Sequence, residues 1–121
     1  MSDTSESGTP SVPEVRSRLQ AAAQMLGEST VVEPAVRTAL TQLLEELSRA
    51  LEAPAAPPGE VARLADGAAR LADALHHRHD QGLLEASRDR LGDLALQAET
   101  RAPTIVHLAQ DVIDALANLG I

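Results

Sequence analysis

Apolar residues along this chain recur at steps of three and four, and no stretch alternates apolar and polar positions with the period of two that a half-buried strand needs. The clearest case is the last stretch, 103–121. There Ile105, Ala109, Val112, Leu116 and Leu119 form the seam of an amphipathic helix. Pro103 suits the first turn, where its missing N–H would have no partner anyway. Gly120 suits the left-handed residue just past the end, and Ile121 is placed to fold back on Leu116 in a Schellman-type cap.

Four more helical segments precede it. Ser11 and Glu14 form an S-x-x-E capping box. Val12, Val15, Leu19, Ala22 and Leu26 follow as a core stripe, with Gly27 as its stop. Glu33-Pro34 opens the second helix, in which Val36, Leu40, Leu43, Leu47 and Ala50 keep the step and Leu44 and Leu51 widen the face. A stripe this wide predicts packing against two neighbours. The proline-rich run 53–58, APAAPP, ends that helix and predicts a stiff connector.

The third helix starts at Gly59-Glu60 and repeats the pattern at Val61, Leu64, Ala68, Leu71 and Leu75. Asp66–Arg70 at i,i+4, with Glu60–Arg63 and Arg70–Asp73 at i,i+3, predict a solvated outer face. Carried past Leu75, the same heptad would put Arg78, Gly82 and Glu85 in the core, whereas the apolar phase resumes at Leu84, Leu91, Leu94 and Ala98. The run HHRHDQG therefore reads as a break or kink, with a fourth helix from about Leu83 to Glu99. Gly92 inside it costs about 1 kcal/mol against Ala, which makes this the weakest helix. Thr100 to Ala102 connects to the final helix.

The pattern predicts an all-α fold: an up-and-down antiparallel helical bundle of four to five short helices, four if the segments around 60–79 and 83–99 run on as one bent rod. Residues 11–121 form its single domain, and the polar, acidic residues 1–10 form a disordered tail.

Composition changes this picture in one respect. The 121 residues include no Phe, Tyr or Trp, so the core is built from Leu, Val, Ile, Ala and two Met. Such a core buries little area per side chain, and helix pairing between chains would reinforce it. A net charge of −8 argues against nucleic acid or an anionic membrane surface as the partner. Every basic residue is Arg, and there is no Cys. MSDTSESGTP lacks the basic and apolar regions of a signal peptide, and no apolar run approaches the roughly 20 residues that span a bilayer, so a cytoplasmic protein without a membrane span is expected.

The second helix, the segment from about Leu83, and above all the ending APT…VIDALANLGI resemble a small bacterial domain-of-unknown-function family, the 4404 type, whose members are short, helical and acidic. In that family a helix ends near a Pro and the last helix closes on Leu-x-x-(Met or Leu)-Gly-Ile. Pro103, Leu116, Leu119, Gly120 and Ile121 occupy those places. The chain departs from the pattern in having Ala102 where a His commonly precedes the Pro, in lacking the aromatic residue before that break, and in an extra stretch around 54–80. The resemblance covers roughly half the chain and implies no activity.

Candidate chemistry is sparse. His76, His77 and His79 with Asp73 and Asp80 form the one cluster of metal-ligand type, with Asp73, His76 and Asp80 at i, i+3 and i+7 on one helix face. That face lies opposite the Val61–Leu75 seam, so it is expected to be a solvated helix end whose histidines suit the negative end of the dipole. A di-metal bundle needs Glu-x-x-His twice, and only Asp73-x-x-His76 occurs. His107 lacks the Lys-Gly pair that follows a phosphoryl-carrying histidine. His107, Asp111, Asp114 and Asn118 make a polar stripe, either solvated or facing arginines such as Arg88 and Arg90.

No catalytic residue, cofactor or metal site is assigned, and an enzyme is not expected. The expected function is a non-enzymatic protein–protein interaction or self-association module, with Val12, Leu40, Leu47, Leu64 and Leu71 in its core. The alternative is a metal- or small-molecule-responsive binding protein using the His76–Asp80 cluster. A third possibility, a coat on a lipid or polymer granule, lacks the large apolar anchors and basic flanks it would need.

Overall fold

The computed structural model describes residues 11–52, 58–77 and 81–120. The expected tail at 1–10, the connector residues 53–57, the break at 78–80 and the packing of Ile121 lie outside the described residues. Five helices form: α1 Val12–Glu28, α2 Pro34–Glu52, α3 Gly59–His77, α4 Gln81–Gln97 and α5 Pro103–Asn118.

Their ends follow the local chemistry. The Ser11 Oγ accepts from the Glu14 N–H at 3.4 Å, and its hydroxyl donates to the Glu14 carboxylate at 3.3 Å. The carboxylate thus meets the hydroxyl of the cap. Gly27 is not the stop; α1 runs on to Glu28, and the buried Ser29 turns extended, its N–H reaching the Leu26 carbonyl. Arg37, in the first turn of α2, then holds the loop, its Nη2 donating to the Ser29 carbonyl at 3.0 Å and the Val32 carbonyl at 3.2 Å. At the other terminus Gly120 takes a φ of +80°, and its N–H meets the Ala117 carbonyl at 3.0 Å, the inner bond of a Schellman-type end.

The helices alternate in direction. Arg16 near the start of α1 approaches Glu52 at the end of α2. Arg18 of α1 pairs with Asp66 of α3, so these two neighbours run the same way. Gly67 of α3 lies against Leu94 of α4, while the far part of α3 faces the start of α4. The third and fourth segments are therefore two helices folded on each other and not one bent rod. The last turn of α2, at Arg49 and Ala50, adjoins the first turn of α5. Glu46 and Arg49 form an ion pair beside that junction.

Helix α3 sits at the centre, packed on α1, α2 and α4. Here the expected solvated outer face narrows to a strip, with Arg70 and Asp73 exposed and Glu60, Arg63 and Asp66 half-buried. Besides Val61, Leu64, Ala68, Leu71 and Leu75, the structure buries Ala62, Ala65, Gly67, Ala69, Ala72 and Ala74. Small residues on nearly every side let three helices close on one axis, and a helix apolar nearly all round belongs inside. The width of the α2 stripe has the same cause, because α2 packs on α1, α3 and α5, one helix more than expected. Leu40, Leu47, Leu64 and Leu71 are fully buried, whereas Val12 is only half-buried.

In α4, Leu84, Leu91, Leu94 and Ala98 are buried, as the shifted phase predicts. The seam of α5 holds through Ile105, Ala109, Val112 and Leu116, but Leu119 is 42% exposed and leaves the core. Among the described residues no helix is long and apolar enough to cross a membrane.

Candidate functional site: a trough between α1 and α4

Both α1 and α4 lie on α3, and among the described residues they do not meet each other. The gap between them is a trough of about 440 Å³ over the second half of α3. Its floor is alanine: Ala22 of α1 and Ala69 of α3, both buried. One wall carries Ala21 and Met25, which lie beside the α1 seam; the other carries Leu83 and Ser87 at the start of α4. Leu83 is 54% exposed, because the α4 seam runs through Leu84 and turns its neighbour outward.

The two ends of the trough differ in charge. At one end the Asp66 carboxylate, 13% exposed, accepts from the Arg18 guanidinium across the helix pair and from the Arg70 Nε at 2.9 Å. Burial alone would raise the pKa of this carboxyl and favour its neutral form. Hydrogen bonds and charge from Arg70 and Arg18 outweigh it and hold Asp66 below the usual carboxylate range. Two guanidinium groups share one carboxylate, which leaves one positive charge in excess at the Arg18–Arg70 end.

At the other end Asp73 is exposed and negative. His77, one turn further on, brings its Nδ1 to 3.0 Å from the Asp73 carbonyl and 3.3 Å from its carboxylate.

This geometry splits the histidine cluster. Asp73 pairs with His77 rather than standing with His76, while His76 is half-buried and its Nδ1 is enclosed without a hydrogen-bond partner. The expected solvated end thus holds for Asp73 and His77 and fails for His76. His79 and Asp80 lie outside the described residues. Among the described residues no three His, Cys, Asp or Glu side chains are arranged to hold a metal ion.

On α5, His107, Asp111, Asp114 and Asn118 are all exposed. Arg88 turns to its neighbour Asp89 at 3.0 Å and not to that stripe. The trough itself escaped the sequence reading. Its signals were Leu83, one position out of phase with Leu84, and Met25, one position before Leu26 of the α1 seam.

Fold and site together define a small all-α bundle with an open apolar trough between α1 and α4. The chain belongs to the Domain of unknown function (DUF4404) family, whose model matches residues 36–121. The matched span includes the central helix α3. Helix α1, which supplies one wall of the trough, precedes it. No curated protein and no solved structure matches the chain.

Proposed function

We propose that this protein is a non-enzymatic helical interaction module of the cytoplasm, binding through the trough between α1 and α4. The observation that carries the reading is Leu83, a large apolar side chain held open beside Met25 over an alanine floor. Helix-in-groove recognition uses this combination: a low floor that lets a backbone approach, apolar walls, and charged groups at the ends that set direction. The aromatic-free core adds support, since docking on α3 would reinforce a bundle whose buried side chains are mostly Leu and Ala.

The test is capture with the full chain tagged at its N-terminus, comparing wild type with Leu83→Arg and Leu96→Arg. Leu96 is also exposed but lies outside the trough, near the end of α4. Binding retained by Leu96→Arg and lost in Leu83→Arg supports the reading. Equal retention by both variants contradicts it.

A further inference from the structure

We infer that the trough is the isologous interface of a homodimer, a second copy of this chain lying across it. The inference rests on the interaction-module reading and adds the identity of the partner. Its basis is that the trough is complementary to itself.

The charges at its two ends are opposite. Arg70 reaches back one turn to Asp66, so its charge sits at the level of Arg18, while Asp73 lies two turns along α3 from Asp66, about 10 Å at 1.5 Å per residue. A two-fold axis lying in the plane of the contact, crossing the trough at its middle at right angles to α3, carries the positive end of one copy onto Asp73 of the other, and does so twice. The relief permits the same arrangement. Leu83 projects at the Asp73 end, whereas the middle of the floor and the adjoining wall are Ala22, Ala69 and Ala21. The rotation sets the two Leu83 side chains at opposite ends of the contact, so they do not collide over the low floor.

Net charge does not forbid this. The chain carries −8 overall, but the charges at the trough balance, with Arg18, Arg70, Asp66 and Asp73 summing to zero. The acidic stripe of α5, by contrast, would face its own like charges in a two-fold contact.

Sedimentation equilibrium of the full chain across a micromolar concentration series tests the inference. Wild type is expected to show a reversible monomer–dimer equilibrium. Leu83→Arg and Asp73→Arg should each weaken it by about tenfold or more, because every contact is lost twice and tenfold corresponds to about 1.4 kcal/mol. The double variant Asp73→Arg, Arg70→Glu exchanges the signs of the two ends and should recover most of the affinity. These positions are exposed, and helical circular dichroism confirms that each variant is folded.

A wild type that stays monomeric overturns the inference, as does a dimer indifferent to both single variants or a double variant that recovers nothing. A monomer that still captures another protein through Leu83 overturns the homodimer alone and leaves the interaction-module reading standing. A monomer that captures nothing removes both.

Discussion

Gly67 of α3 lies so close to α4 that a β-carbon built on it would stand 2.6 Å from Cδ1 of Leu94. Gly92 of α4 is the opposite case, since the same added carbon would meet Ile113 of α5 at 3.6 Å, an ordinary contact. The two glycines therefore separate helix propensity from packing. Gly92→Ala should stabilise the protein by about 0.5–1 kcal/mol, the usual gain for Ala over Gly within a helix. Gly67→Ala should lose about 1 kcal/mol or more, because the buried Leu94 has to move. Urea unfolding of both variants checks this; a gain at Gly67 equal to that at Gly92 would show that α3 and α4 are not so close.

Asp66 gives the fold an acid dependence whose sign is fixed. Its carboxyl is held below the usual range in the folded protein, chiefly because Arg70 and Arg18 overcome the effect of burial. A depressed folded value contributes stability that is complete above the unfolded value of about 4 and is lost as pH falls through the folded value. Asp66→Asn should cost about 1 kcal/mol at pH 7. The gap between the two proteins should close as pH falls below the unfolded value and through the lower folded one. A gap that persists at low pH would mean that the Asp66 charge contributes nothing.

The Arg37 clamp joins α1 to α2. Its two hydrogen bonds to the Ser29 and Val32 carbonyls are part-buried, so Arg37→Ala should destabilise by about 1–2 kcal/mol and raise amide exchange across 29–33. Unchanged exchange in that loop would contradict the clamp.

The histidines near the end of α3 should not act as a zinc site. Asp73 and His77 engage each other, and His76 turns inward. Calorimetric titration with Zn²⁺ is expected to give the same weak heats for wild type and for His76→Ala/His77→Ala/His79→Ala. Stoichiometric binding lost in the triple variant would restore the metal reading.

Most of the fold was legible in the sequence because helical periodicity is a local property. The seams of α1, α2 and α5, the phase shift between Leu75 and Leu84, and the left-handed Gly120 all follow from neighbours within a few residues. What escaped was set by tertiary contact. Alanine is neutral to the pattern, so nothing local told the outward-looking Ala62, Ala69 and Ala74 of α3 that α1, α2 and α4 would cover them. The trough escaped for the same reason, since it exists only where two helices share α3 without meeting. The pairing of Arg18 with Asp66, 48 residues apart, carries no trace in spacing at all.

The most direct measurement is a dilution series followed by methyl NMR on the full-length protein. Ala21, Met25 and Leu83 bring methyl groups to the walls of the trough, whereas Leu96 and Leu119 are exposed elsewhere. The expected result is that the Ala21, Met25 and Leu83 signals shift together with concentration while those of Leu96 and Leu119 stay fixed. Signals that never move would contradict the homodimer, and movement confined to Leu96 and Leu119 would contradict the trough as its interface.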